Sequence, residues 1–411
     1  MKTNTRLLHD RFDGDKKNTG ATLTPIYQTS AFGNATAEGL EAIFRNKAAG
    51  YAYTRIGNPT VSAFEQRMAA LEHGIGAVAF SSGMAAITSL CLAILSTGDE
   101  IVASAGVFGG TIGLFADLQA FGITTHYVDA CTPEQLERVI TEKTRMVFTE
   151  IIGNPRLDVL DLPEVSRYLK EKGNILFVVD NTLATPVLVQ ALEQGADIAV
   201  HSSSKYINGS SNAISGVLVD SGNFRWDTEA FPAMQDWKKF GPYALTAKLR
   251  QKVLMDMGAC LAPMNAFLNS LGMETLGLRM ERQCSNALSL AKALEQMDGI
   301  AAVNYPGLDS SPWHETASRV LNGGYGAILT ARLGTRERAF QVINKLRYAV
   351  NITNVGDVRT LVVHPRSTIY AHIPADACEH AGVTEDLIRV SVGIEDMEDL
   401  IEDFEQAVRA K

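Results

Sequence analysis

Cysteine is scarce and scattered. Five residues, Cys91, Cys131, Cys260, Cys284 and Cys378, are spread over 411 positions. They are odd in number and form no CxxC pair. Neither a disulfide framework nor a zinc ribbon is expected, and a reducing cytoplasm is the expected setting. The eight histidines show no HExxH or other metal-ligand spacing, so no metal site is expected. GxGxxG and GxxxxGK[ST] are also missing, which removes the phosphate loops of dinucleotide-binding and P-loop proteins. Basic residues are in the minority, 37 against 46 acidic ones for a net charge of −9. That balance lacks the electrostatic footprint of a nucleic-acid binder. The most apolar helical stretch, 84–95, is interrupted by Thr88 and Ser89 and is too short to span a bilayer. The opening MKTNTRLLHDRFDGD has no apolar h-region and does not read as a signal peptide. What remains is ordinary globular composition, 46% hydrophobic and 20% charged, long enough for a large core with one or two lobes. A soluble cytoplasmic protein without nucleic-acid or membrane partners is expected.

The first 59 residues are rich in Gly, Asn, Thr and Tyr and keep no period, so 1–59 reads as an extended arm able to lie on another subunit. From Thr60 an alternation begins. Helical 61–72, 84–95, 133–141 and 162–172 are interleaved with strand-like 77–80, 100–103, 124–128, 146–151, 175–180, 196–201 and 214–219. Short β-rich runs alternating with longer helices predict an α/β fold, with a mostly parallel sheet buried on both faces. That pattern defines an expected domain over 60–255. A long helical connector is predicted over about 244–297. The remainder of 256–411 is expected to form a smaller α+β domain, with strands at 326–333 and 387–392 and a closing helix from Asp396.

Ligands of open α/β sheets sit beyond the carboxyl ends of the strands. Four such ends carry related chemistry. ILFVVDNT leaves Asp180 at the end of an apolar strand, where a carboxylate is costly without a compensating partner. ADIAVHSSSKY ends in Ser202, Ser204 and Lys205, and a lysine in such a place suits a Schiff base. AFSSGMAAI runs from strand through Ser82, Gly83 and Met84 into a helix, a shape that offers backbone N–H groups to a phosphate. GVFGGT sets Phe108 ahead of two glycines in a fourth strand-to-helix turn. Singly, these are a turn acid, a surface lysine, a helix cap and a core aromatic. Together they match pyridoxal phosphate, which needs a lysine for its aldehyde, an acid for its ring nitrogen, a phosphate cradle and an aromatic to stack on.

The chain resembles the fold-type I, pyridoxal-phosphate-dependent Cys/Met metabolism (trans-sulfuration) enzymes. The motifs are YTRIGNPT, SSGMAA, FGGT, GNP at 153–155, VVDNTLATP, HSSSKYI, NVGD, HPRST and RVSVG, in order over essentially the whole chain. The resemblance implies that Lys205 holds the cofactor and that Asp180 pairs with its ring nitrogen. It puts Asn154 near the ring hydroxyl and Arg389 on the substrate α-carboxylate. Tyr53 and Arg55 would reach the cofactor phosphate of a neighbouring subunit, which implies a homo-oligomer, at least a dimer and commonly a tetramer. An ion pair of Arg389 with Asp386 or Glu395 is the competing explanation for that arginine.

Within the family, GNPRLDVLDL, LAPMNAFL and ITNVGD are similar to the O-acetylhomoserine sulfhydrylases, and Asn354 stands where lyases tend to have serine. Two positions depart from the pattern. Phe108 replaces the family's usual tyrosine, and Met84 stands where many sulfhydrylases have glutamine. The expected reaction is γ-replacement on O-acetylhomoserine by sulfide or a thiol, giving homocysteine or methionine plus acetate. The alternatives are a methionine γ-lyase or cystathionine γ-synthase or γ-lyase activity, or a catalytically silent cofactor-binding regulator.

Overall fold

Strand β5 (Leu176–Asp180) reads LFVVD, apolar on both faces, and it lies at the centre of a seven-stranded sheet covered on both sides. The computed structural model describes residues 1–10, 20–226, 228–373 and 375–410. The other strands of this sheet are β1 (Gly76–Phe80), β2 (Glu100–Ser104), β3 (Thr124–Val128), β4 (Thr144–Glu150), β6 (Ile198–His201) and β7 (Gly216–Asp220). Their order is β1-β7-β6-β5-β4-β2-β3, and β7 alone runs against its neighbours. The expected mostly parallel sheet is therefore present, with one antiparallel member.

Successive side chains of a strand point to opposite faces. Phe177 and Val179 accordingly join one core with Phe64, Met68 and Met280, while Val178 joins the other with Leu90, Phe115 and Phe148. Helix α3 (Pro59–Glu72) starts cleanly because the Asn58 side chain accepts from Thr60 N at 2.9 Å and Pro59 presets the first turn. Its buried charges are tied down. Glu65 accepts from Ala79 N and pairs with Arg250, both at 2.8 Å, and Arg67 donates to Leu7 O at 2.6 Å.

A second sheet has the order β10-β11-β12-β9-β8, formed by β8 (Ala302–Asn304), β9 (Ile328–Arg332), β10 (Val350–Asn351), β11 (Leu361–Val363) and β12 (Leu387–Ser391). Its core includes Leu329, Ile388, Val390 and Phe404, with the helices Leu276–Glu295, Arg336–Lys345 and Met397–Arg409 packed around it.

One expectation is corrected. The first 59 residues are not simply extended. Among those described they form α1 (Thr3–His9) and α2 (Ala37–Phe44), and α1 buries Leu7 against this same chain. Residues 11–19 of the expected arm lie outside the described residues. The long helical region expected over about 244–297 is present, but it is divided into separate helices. Gly258 takes a left-handed φ of +74° and Pro263 opens a separate helix, Pro263–Glu274. Thr275, at φ −107°, separates that helix from Leu276–Glu295. Left-handed glycine after a helix and proline at a first turn are ordinary stop and start signals.

Candidate active site

Every strand end singled out in the sequence opens on one side of the seven-stranded sheet, around a cavity of about 270 Å³. Gly83, Met84, Phe108, Asn154, Asp180, Ser202, Lys205 and Arg389 line it. So do Glu150, Thr111, Thr182 and Ile369, which the sequence did not single out.

Helix α4 (Gly83–Ile94) begins at this cavity, and Ser82 caps it by accepting from Ala85 N at 3.0 Å. The first N–H groups of a helix have no intrahelical acceptor, so those of Gly83 and Met84 form an anion seat. Glycine is required here, since a Cβ on Gly83 would lie 2.9 Å from Ser202 Cβ. Ser202 N in turn receives support from Thr182 Oγ1 at 2.8 Å. Ser204 does not line the cavity. Its hydroxyl donates to Ser215 O at 3.0 Å and accepts from Ser215 N at 2.8 Å.

Phe108 precedes α5 (Gly109–Leu118), and its ring lies so close to Gly110 that a Cβ there would sit 2.5 Å from it. Phe108 stays 37% exposed and lines the cavity, an apolar surface that a flat ligand there could cover. Phe108 N donates to Glu150 Oε1 at 2.6 Å, which anchors the turn. Glu150 sits opposite Asp180 in the β4–β5 register. Burial first, then the Asp180 charge, pushes the Glu150 carboxyl well above its usual range.

Asp180 accepts from Thr182 N at 2.9 Å, and among the described residues no lysine or arginine pairs with it. Burial raises its pKa. A cationic ring nitrogen would supply the compensation this carboxylate lacks. Behind it, buried His201 meets Glu72 Oε1 at 2.7 Å, and Asn181 Nδ2 donates to the same oxygen at 2.7 Å.

Lys205 follows β6. Burial, reinforced by the charge of Arg389, lowers its ammonium pKa from 10.5 to about 8. Its Nζ donates to Asn354 Oδ1. Arg389, only 2% exposed, donates to Asn154 Oδ1 at 2.9 Å and to Asn354 O at 3.3 Å. The ion-pair explanation fails. Asp386 instead pairs with Arg332 at 3.1 Å, and Glu395 accepts from Thr360. A buried guanidinium with only neutral partners is an expensive arrangement that a ligand carboxylate would complete. Desolvation lowers its pKa to about 10.

Tyr53 and Arg55 do not reach this cavity. Tyr53 bridges Ala31, and the Arg55 guanidinium lies 5.3 Å from the Tyr53 ring centre. Lysine, unpaired acid, anion seat and open aromatic thus occupy one cavity in the arrangement pyridoxal phosphate requires.

The profile of the Cys/Met metabolism PLP-dependent enzymes matches residues 4–409. The chain belongs to that family. It is therefore an enzyme that takes pyridoxal phosphate as cofactor.

Among curated relatives, a sulfhydrylase of Fusarium oxysporum is 40% identical over 97% of this enzyme and 95% of the relative. The O-acetyl-L-homoserine sulfhydrylase of Corynebacterium glutamicum is 37% identical over 98% and 95%. The L-methionine gamma-lyase of Fusobacterium nucleatum is also 37% identical, over 96% and 95%. A solved structure, a putative O-acetylhomoserine (thiol)-lyase of Campylobacter jejuni, superposes with a TM-score of 0.95. The two share 30% identity over 100% of both chains, and that protein carries N'-pyridoxyl-lysine-5'-monophosphate at its position 205.

Proposed function

We propose that this enzyme catalyses γ-replacement on O-acetylhomoserine, with sulfide or a thiol displacing acetate to give homocysteine or a thioether such as methionine. The observation that carries the reading is the pair of Lys205 and Arg389 in one cavity: an amine with a pKa near 8 and a buried guanidinium without an acidic partner. The named sulfhydrylase relatives set the reaction class.

Bound pyridoxal phosphate supplies an electron sink for charge that develops at the substrate's α-carbon. Lys205 is its attachment point in this reading. Gly83, Met84 and Ser202 would hold the phosphate, Asp180 would keep the ring nitrogen protonated, and Phe108 would stack on the ring. Arg389 grips the substrate carboxylate as a fork, which fixes the orientation of the α-C–H bond. Lys205, whose pKa burial lowers to about 8, would be the base that moves protons at the α- and β-carbons. Asn154 Oδ1 and the Asn354 carbonyl accept from Arg389 and brace it.

A second reading is elimination, in which water finishes the reaction and a keto acid and ammonia appear. Met84 and the γ-lyase relative favour it. Separate incubations of O-acetylhomoserine, O-succinylhomoserine, cystathionine and methionine, each with and without sulfide, distinguish the two. Homocysteine made only from the acyl esters with sulfide supports replacement. Keto acid from methionine without sulfide overturns it.

The working form in this reading is a homo-oligomer, at least a dimer and in full a tetramer. Tyr53 and Arg55, exposed and polar but outside this chain's own cavity, reach a neighbour's phosphate seat. Mixing Arg55→Ala with Lys205→Ala chains should then restore activity through hybrid sites, and no recovery after verified exchange counts against sharing. A cytoplasmic setting fits the five free thiols. No helix among the described residues is long and apolar enough to cross a membrane. In this reading the chain divides into an arm over 1–59, a cofactor-binding domain over 60–255 and a small domain over 256–411.

A further inference from the structure

Asn354 meets Lys205 through one end of its amide, and the other end is not free. Its Nδ2 donates to Ser211 Oγ at 2.8 Å. Ser211 Oγ donates to Asp357 Oδ2, and Asp357 also holds Arg359 NH1 at 3.2 Å and Arg359 N at 2.9 Å. Two neighbouring residues of one loop, Asn354 and Asp357, and Ser211 from a distant segment thus form one line that ends on Lys205.

The line has a direction. A carboxylate paired with arginine has no hydrogen to give, so the single Ser211 proton must point towards Asp357. Ser211 Oγ can then only accept, and the Asn354 amide must turn its Nδ2 that way. Its Oδ1 is left facing Lys205. The reverse amide orientation would set Oδ1 against a hydroxyl that has no proton to offer. The backbone enforces the same contact. Gly356 has φ +78°, and a Cβ there would lie 2.6 Å from Tyr206 N and 2.9 Å from Lys205 C. Gly356 N donates to Ser391 Oγ and Val358 N to Gly209 O, both at 3.0 Å, tying the two loops together.

We propose that Asp357 and Ser211 are positioning residues that fix the Asn354 amide with its oxygen on Lys205, so that the free lysine keeps its lone pair for substrate. An amide oxygen takes an N–H from the amine and stabilises the ammonium once a proton has arrived. An amide N–H turned the other way would occupy the lone pair and oppose protonation. The inference rests on Lys205 acting as the base in the reading above. The remaining charges around the line are Arg389, Asp180 and Glu150 in the cavity, and Arg279 near Asp357. None of them is altered in the test.

Asp357→Asn can reverse the line, because its new amide donates to Ser211 and the serine proton then turns to Asn354. Ser211→Ala cuts the line at an exposed side chain and keeps the Asp357–Arg359 pair, so it decides the matter if Asp357→Asn does not fold. The first readout is the pH midpoint for carbamylation of Lys205 by cyanate, followed by peptide mass spectrometry on the full-length chain stripped of cofactor. The midpoint should fall by at least about 0.5 unit in Asp357→Asn and move less in Ser211→Ala. In the holoenzyme, kcat should fall by about tenfold or more with KM and cofactor affinity nearly constant. The double variant should be no worse than Asp357→Asn, because one line is broken once. Unchanged midpoints in both single variants, or losses that multiply in the double variant, overturn the proposal. Borohydride reduction of the wild-type holoenzyme separates the two readings. A pyridoxyl label on a lysine other than Lys205 sinks the assignment of the base, while the midpoints still report whether the line exists.

Discussion

The two ends of the seven-stranded sheet hold buried acids with raised pKa values, yet they do different things. At the carboxyl end of the parallel strands, Asp180 and Glu150 face a cavity together with Lys205 and Arg389. At the opposite end, Asp220 and the partly buried Asp197 are pushed up to about 7 and about 6, in each case chiefly by burial. Their carboxylates close the chain on itself. Asp220 accepts from Gly222 N at 2.8 Å and Asp197 from Phe177 N at 2.9 Å. The cleft near Asp197, about 510 Å³, is larger than the cavity around Lys205. Neither a perturbed pKa nor an open volume therefore marks a reactive centre by itself. Convergence does: cation, acid, anion seat and aromatic on one small space, with groups left short of partners.

The sharpest way to break the contrast is to remove the amine. Lys205→Ala should fold, because its side chain lines a cavity and is not core packing, and turnover should fall by on the order of 10³-fold or more. Borohydride reduction of the wild-type holoenzyme should leave the label on the peptide containing HSSSKY. Comparable turnover in Lys205→Ala would remove the distinction between the two ends.

Arg389→Lys comes next. Lysine keeps the charge but cannot form two parallel bonds to a carboxylate. The variant should fold and bind cofactor, and kcat/KM should drop by at least about 2 kcal/mol of transition-state stabilisation, the scale for losing one partner of a buried charge pair. Unfolding with normal kinetics in the folded fraction would make Arg389 structural after all.

The difference between the ends also decides what was readable in advance. Asp180, Lys205 and Gly83 stood out because each interrupts an apolar strand or opens a helix beside it, which is local information. Strand 124–128 and helix 162–172 were legible to the residue for the same reason. Glu150 was missed because an acid closing TRMVFTE looks like any turn residue until the β4–β5 register sets it beside Asp180. Asp357, Ser211 and the pair of Glu72 with His201 join segments more than a hundred positions apart, and no periodicity reports such contacts. Helices α1 and α2 have seven and eight residues, too few to show a period. The helical region over 244–297 was legible from its apolar spacing, and its division falls at Gly258 and Pro263, ordinary stop and start signals.

At the far end of the sheet, Asp220→Asn should have the opposite effect to a change in the active site. The Asp220 carboxyl titrates near 7 when folded against an ordinary value of 3.8, so the folded state holds its proton more tightly than the unfolded chain. That contribution is whole below about pH 4 and is lost as the pH rises to about 7. Asparagine keeps the oxygen that accepts from Gly222 N and cannot ionise. The variant should gain at least about 1 kcal/mol at pH 7 to 8 relative to wild type and flatten the pH dependence of Tm, with kcat unchanged. A lower Tm at pH 8 than the wild type would show that Asp220 has an ionic partner in the fold.

The smallest expected effect concerns Phe108, the aromatic residue lining the cavity at the active end. Its ring is held on one side by Gly110 and its backbone by Glu150, and the other side is open to the cavity. An exposed ring fixed this firmly has a use only if something flat lies on it. Stacking of this kind contributes about 0.5–1.5 kcal/mol. Phe108→Ala should therefore weaken cofactor affinity by about threefold to tenfold, measured by equilibrium titration of the cofactor's visible absorbance. Phe108→Tyr should keep that affinity, since the ring face is the same. Should the tyrosine variant instead raise kcat many-fold, a hydroxyl at this position would be taking part in proton transfer that the wild-type enzyme performs by another route. If Phe108→Ala leaves the affinity unchanged but lowers Tm, the ring is packing, and the active end resembles the far end at this one position.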